Sequence, residues 1–244
     1  MFHDSLNDFL LPSKRNKPVV YTFSDNPSIK HAIETIGVPH PEADIILVNG
    51  KPVDFSYALN NDDEVEVYTA ITAKSFPDEW LSTPSHSNPE KFILDVHLGK
   101  LARALRLFGF DTFYENNYSD KTIVELAEKE ERIILTRDRN LLKHKLVRVG
   151  YWLRSQHVHE QLMEVIRRFN LKTKFKFFER CVECNGKIIK VEKAAIIDKL
   201  LPKTILYYNN FFQCECCKRI YWRGSHYEHM HGFIKRIEET IRDN

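Results

Sequence analysis

Phe92-Ile93-Leu94-Asp95-Val96-His97-Leu98-Gly99-Lys100-Leu101-Ala102-Arg103 changes its hydrophobic period in mid-course. Phe92 to Leu94 is a short continuous apolar run, which suits a buried strand. Beyond Asp95, Leu98, Leu101, Ala102, Leu105 and Phe108 recur at helical spacing until Gly109 stops them. The same alternation continues downstream. Phe110 to Tyr114 reads as a second strand, and Ser119 or Asp120 opens a helix carrying Ile123, Leu126 and Ala127. Arg132 to Thr136 is a third strand and Leu146 to Val149 a fourth. Val158, Leu162, Val165, Ile166 and Phe169 mark one face of a further helix. Strands alternating with helices in this way predict a mostly parallel sheet with helices on its faces.

In such a sheet, ligands gather beyond the carboxyl ends of the strands. Asp95 follows the first strand, Asp120 stands at the start of the helix after the second, and Asp138 follows the third. Carboxylates brought together repel one another unless a cation lies between them, and a hard divalent ion such as Mg²⁺ or Mn²⁺ prefers oxygen ligands. Each acid also has a plainer reading. Asp95 and Asp120 are placed to cap their helices. Asp138, in Thr136-Arg137-Asp138-Arg139, is placed to pair with either arginine. Lys100, Arg103 and Arg106 share the polar side of the first helix, and Arg137 and Arg139 flank Asp138. These groups suit backbone phosphates, or equally an ordinary solvated face.

Outward from this core the chain changes character at both ends. Residues 1–89 carry 6 Lys/Arg against 13 Asp/Glu, whereas residues 171–240 carry 14 against 8, so a net charge of +2 hides an acidic start and a basic finish. The basic end is where a polyanion would dock. No apolar run approaches the roughly 20 residues that span a bilayer. The start of the chain lacks the basic-then-apolar pattern of a secretory signal, so a cytoplasmic protein with no membrane partner is expected.

Cys181-Val182-Glu183-Cys184 and Cys214-Glu215-Cys216-Cys217 are two CxxC pairs. A two-residue gap lets one tight turn aim both sulfurs at one metal, and two such turns complete a tetrahedral, structural zinc site. In register with the first pair, Cys214 and Cys217 are the ligands and Cys216 is a spectator. Free buried thiols or a redox pair are the alternative. The 29 residues between the pairs must fold as an excursion of their own. Around the cysteines, Lys172, Lys174, Lys176, Arg180, Lys187, Lys190 and Lys193 interleave with Tyr221, Trp222 and Tyr227. That mixture suits single-stranded RNA, although aromatic residues in so small a module also serve as its core.

Toward the amino end, Pro18 to Phe23, Ile45 to Val48 and Glu64 to Tyr68 read as strands. Ser28 caps a helix that Gly37 ends, and Asn49-Gly50 makes a turn. This is the pattern of a small β-grasp domain. Residues 75–89 hold three prolines and four serines and read as a linker or as an ordered loop packed on a neighbour.

Several of these stretches together resemble the Mut7-C RNase family. The resemblance lies in Phe92 to Arg103, in Leu107-Phe108-Gly109-Phe110-Asp111-Thr112, in Arg132 to Leu142, and in the cysteine-rich tail with Tyr221-Trp222-Arg223-Gly224-Ser225-His226. Ile36-Gly37-Val38-Pro39-His40 and Val48-Asn49-Gly50 resemble the ubiquitin-like domain that precedes such nucleases. The resemblance implies a ubiquitin-like β-grasp domain over 1–74, a linker over 75–89, a PIN-like nuclease domain over 90–178, and a zinc ribbon with a C-terminal tail over 179–244. It further implies metal-dependent RNase activity, with Asp95, Asp120 and Asp138 at the acidic positions. Asp111 also matches a family aspartate, but it stands at a strand's start, where a structural role is equally expected. PIN nucleases often add a fourth acid after the fourth strand, where this chain has Arg154-Ser155-Gln156-His157. The alternative is therefore a non-catalytic RNA- or ribosome-binding adaptor with a degenerate PIN-like core. A third reading is a protein-interaction module that docks through the acidic N-terminal domain. No Gly-Gly stands near residue 70, which argues for a docking or scaffold role of that domain and against a carrier role.

Overall fold

The computed structural model describes residues 1–69, 75–82 and 90–242. The first helix, α1 (Ile29–Ile36), is capped by the Ser28 hydroxyl, which accepts the His31 N–H at 3.3 Å. Strand β1 (Ile45–Val48), buried along its whole length, pairs antiparallel with β2 (Lys51–Pro52) and with β3 (Val65–Tyr68). The hairpin turn between β1 and β2 needs positive φ at both central residues; Asn49 has φ 51° and Gly50 has φ 75°, which few residue pairs tolerate. Ile46 and Val48 face the core with Ile29, Ile33 and Val67, and Ile45 and Leu47 face the other way.

Pro18 to Phe23 is not a strand. Its alternation is real, because Val19, Tyr21 and Phe23 lie against the core while Val20 is 91% exposed. The backbone at the edge of β3 is already taken by the start of the chain. Val67 donates to the Met1 carbonyl and His3 donates to the Val67 carbonyl, each at 3.0 Å. A pattern of period two thus found core contact without a ladder to join.

Residues 75–82, the described part of the expected linker, form a packed strap. Phe76 meets Tyr68 and Trp80 ring to ring, Leu81 bridges to Ile45, and the Ser82 N–H donates to the Asp44 carbonyl at 2.7 Å. The strap covers the Ile45 and Leu47 face of the small sheet. The rest of that stretch, 83–89, lies outside the described residues.

The central segment follows the expected order. It runs β4 (Lys91–Leu94), α2 (Gly99–Leu107), β5 (Asp111–Phe113), α3 (Asp120–Glu130), β6 (Ile133–Thr136), the short α4 (Arg139–Leu142), β7 (Gly150–Trp152) and α5 (Val158–Arg168). The four strands make one parallel sheet in the order β5-β4-β6-β7, flanked by helices. The fourth strand starts at Gly150, beyond the Leu146–Val149 stretch the sequence suggested. Val147 and Val149 are buried on either side of exposed Arg148, but pairing with β6 begins at Gly150. A Cβ at Gly150 would stand 2.5 Å from a Leu142 methyl, so α4 closes over the strand only where the side chain is missing.

Beyond α5, the antiparallel sheet β8 (Ile188–Val191), β9 (Phe211–Cys214) and β10 (Ile220–Trp222) is ordered β10-β9-β8. The spacer between the cysteine pairs folds as an excursion carrying β8, two 3₁₀ turns and α6 (Pro202–Tyr207). Helix α7 (Ser225–Arg242) ends the described chain. None of the described helices is long and apolar enough to cross a membrane. The chain forms two compact units, Met1–Pro89 with Asn117–Arg154, and Glu90–Asn116 with Ser155–Asn244. In the second unit, Phe108 is the hub of edge-to-face contacts with Phe175, Phe177 and Phe233. These contacts fasten the 175–178 strap and α7 to the turn after α2.

Candidate metal centre and acidic strand ends

The two cysteine turns have the same backbone. In the first, the Asn185 N–H donates to the Cys181 carbonyl at 2.9 Å and Asn185 has φ 67°; in the second, the Lys218 N–H donates to the Cys214 carbonyl at 3.1 Å and Lys218 has φ 59°. Cys181 Sγ lies 3.6 Å from Cys217 Sγ, and Cys184 Sγ lies 3.4 Å from Cys214 Sγ. All four sulfurs fall within 4.8 Å of one another. A tetrahedron with Zn–S bonds of about 2.3 Å has edges of about 3.8 Å, so the four sulfurs already stand close to that spacing. The four cysteines can hold a structural metal such as zinc, and Cys216, exposed beside them, is not one of the set. Burial, with the neighbouring thiols, pushes Cys217 up to about 12. Burial alone would raise Cys184 too, but the Gly186 N–H and the other thiols outweigh it and bring Cys184 down to about 6. The Tyr221 hydroxyl, 3.0 Å from Cys181 Sγ, closes one side of the cluster.

The three aspartates hold distinct local posts. Asp95 is 7% exposed directly after β4, and its Oδ1 accepts the His97 N–H at 2.9 Å. It is not the cap of α2, whose N-cap residue is Leu98. Asp138 does cap: its Oδ1 accepts the Asn140 N–H at 2.7 Å at the start of α4, two residues beyond the end of β6. Asp120 is the first residue of α3 and is exposed; the cap there is Ser119, which accepts the Thr122 N–H at 3.2 Å. The capping role open to Asp120 is therefore filled by its neighbour. Asp95 belongs to the second unit, Asp120 and Asp138 to the first.

The basic residues differ in exposure and in partners. Lys100 is exposed, and Arg103, 62% exposed at its side chain, pairs with Glu183 at 2.9 Å. Arg106 does not share their solvent-facing side. It is 4% exposed and donates to the carbonyls of Thr112 (3.0 Å), Val182 (3.2 Å) and Glu183 (2.6 Å). A guanidinium with five donors in a fixed fork suits such a cluster of carbonyls. Arg139 lies 4.1 Å over the Trp152 ring and donates to the carbonyls of Asp8 (3.2 Å) and Phe9 (3.5 Å), while Arg137 is exposed. Asp111 takes the structural role left open for it, accepting from Asn185 at 2.8 Å and pairing with Arg180 at 3.2 Å.

Two groups escaped the sequence reading. Glu160 and Glu164 on α5 fold back onto Ser155. Glu164 Oε1 accepts the Ser155 N–H at 2.9 Å, and Glu160 accepts the Ser155 hydroxyl. Carboxylates thus do stand just after the fourth strand, supplied by the next helix instead of the loop. Their i, i+4 spacing on one helix face was the available signal. Arg154, the residue at that loop's start, is held by Asp8 and Glu42, each at 3.2 Å, over the rings of Tyr151 and Trp152. Glu42 and Asp8 lie more than a hundred residues away, so no local pattern announces this pair.

In comparison with known protein families, residues 90–234 match the Mut7-C RNAse domain and residues 1–74 match the Mut7-C ubiquitin domain. No curated protein matches the chain, and no solved structure does.

Proposed function

Since the chain belongs to the Mut7-C RNase family, with the family's ubiquitin domain ahead of its RNase domain, we propose that it is a ribonuclease hydrolysing RNA phosphodiester bonds at a divalent cation. The observation that carries this reading is the post of Asp95. It is a buried carboxylate directly beyond a parallel strand, spared the capping of the helix that follows. A carboxylate at the end of a parallel strand stands where ligands gather in such a sheet. The family resemblance puts Asp95, Asp120 and Asp138 at the acidic positions, and carboxylate oxygens are the donors that Mg²⁺ and Mn²⁺ prefer. A bound ion of this kind supplies hydroxide at neutral pH and positive charge for the phosphodiester. Lys100, Arg103 and Arg137, with the remaining N–H donors of Arg139, bind phosphates and so fix the strand for attack. The cysteine cluster holds zinc in a structural role, because four thiolates leave no open coordination position.

The test is cleavage of single-stranded and structured RNA with Mg²⁺ or Mn²⁺, comparing wild type with Asp95→Asn and Asp138→Asn. Each substitution is expected to lower the rate by roughly 100-fold or more, the scale of losing a bound cation's charge. Cleavage unaffected by either change would refute the site. RNA binding without cleavage by the wild type would mark the chain as an adaptor.

A further inference from the structure

A cavity of about 360 Å³ opens in the second unit, lined by the start of α2, the residues after β5 and the first cysteine turn. Lys100, Arg103 and Arg106 supply three positive charges to its wall, and Glu115 and Glu183 two negative ones. Arg106 spends its donors on carbonyls and serves as a fixed part of the wall. Lys100 has no partner among the described residues. The informative group is Glu183, which stands between the metal-ligand positions Cys181 and Cys184. One of its oxygens meets Arg103 at 2.9 Å and the other meets Arg219 at 3.1 Å. Two arginines are thus bridged by one two-oxygen anion, and one of them, Arg103, lines the cavity together with Glu183.

We propose that Glu183 is a placeholder for an RNA phosphate. Its carboxylate occupies a subsite formed by Arg103 and Arg219, and a phosphodiester of a bound single strand displaces it, with Lys100 taking a neighbouring phosphate. Three observations support the exchange. Arg103 and Arg219 are 62% and 53% exposed at the side chain, and ion pairs so open to water hold weakly and give way to a competing anion. Guanidinium groups bind phosphate oxygens with the same forked geometry they use for carboxylates. The cavity is of the size that takes a single small ligand, and so one splayed nucleotide fits it where a duplex would not. The metal-binding turn would then meter access to the strand, because it carries the competing carboxylate. This inference rests on the chain acting on RNA.

The experiment is binding of a fluorescently labelled ten-nucleotide single-stranded RNA to the full, zinc-loaded chain in buffer free of Mg²⁺ and Mn²⁺. Glu183→Gln is expected to bind about three- to tenfold more tightly, since the competing charge is gone. Arg103→Ala is expected to bind more weakly and to lower the salt slope by about 0.7, one phosphate contact on a single strand. Combining Arg103→Ala with Glu183→Gln should abolish most of the gain. Equal or weaker binding by a Glu183→Gln chain that still carries one zinc would overturn the proposal. If that variant loses zinc, Arg103→Glu at an exposed helix position decides: binding unchanged from wild type rejects the subsite. Cleavage that Asp95→Asn abolishes, with affinity unmoved by Glu183→Gln, rejects the placeholder and keeps the nuclease. Tighter binding by Glu183→Gln in a chain that never cleaves RNA does the reverse.

Discussion

Asn185 donates to Asp111 Oδ1 across 2.8 Å while its own Oδ1 accepts the Thr112 N–H at 3.0 Å. One amide thereby bolts the first cysteine turn to the edge strand β5, filling a backbone donor that the sheet itself leaves open. An edge strand with unmet donors is normally a liability, and here the metal module covers it. Asn185→Ala would leave the Thr112 N–H, whose residue is fully buried, without its acceptor. The expected cost is about 1–3 kcal/mol of unfolding free energy, read by urea denaturation in the presence of zinc. A stability equal to wild type would mean the turn is held by the metal cluster alone.

The cluster predicts its own stoichiometry. Cys216→Ser should retain one zinc per chain by elemental analysis, because Cys216 lies outside the set of four close sulfurs. Cys184→Ser should lose the zinc, as should treatment with a strong chelator. Loss of the metal should loosen the β8-β9-β10 sheet, since Cys214 closes β9 and few apolar residues there are fully buried. A Cys216→Ser chain without zinc would show that the register of the second pair is wrong.

Zinc affinity should rise with pH around neutrality. With burial pushing Cys217 up to about 12 and raising Cys214 also, both thiols are protonated at pH 7 in the metal-free chain, and both must give up their protons to bind. Cys184, brought down to about 6, is already mostly ionised there. At least two protons should therefore leave on binding near pH 7, and the affinity should climb by at least a hundredfold per pH unit. Competition with a chromophoric chelator between pH 6.5 and 8 measures this. A pH-independent affinity would contradict the sharing of thiolate character among the four sulfurs.

Much of this architecture was legible because its causes are local. The period change at Asp95 marked β4 and α2, and the CxxC pairs named their own ligands, since a two-residue gap has few other uses. Ser28 and Asn49-Gly50 announced a cap and a turn through their own chemistry. What could not be read depended on distant partners. Pro18 to Phe23 has a strand's alternation, but Met1 and His3 occupy the backbone edge it needed. Arg106 looks like its neighbours Lys100 and Arg103 in the sequence. Its burial follows from carbonyls contributed by residues 112, 182 and 183. Glu160 and Glu164 reach Ser155 only because their helix folds back onto the segment before it, which no local spacing in that loop announces.

Arg139 and Lys100 are both basic residues beside a strand-end aspartate, and the structure predicts opposite phenotypes for them. Arg139 stacks on Trp152 and ties down the Asp8 and Phe9 carbonyls, so its loss removes a cation–π contact and two hydrogen bonds. Arg139→Ala should cost about 1–2 kcal/mol of stability, seen as a lower urea midpoint with an unchanged slope. Lys100 is exposed with no partner among the described residues, so Lys100→Ala should leave stability within about 0.5 kcal/mol of wild type. Its effect should fall on RNA instead, weakening binding and lowering the salt slope by about 0.7 for a single strand. Measured together, denaturation and salt-dependent binding separate the two roles. A destabilised Lys100→Ala chain with unaltered RNA affinity would place Lys100 in the scaffold and leave the cavity without its one unengaged cation.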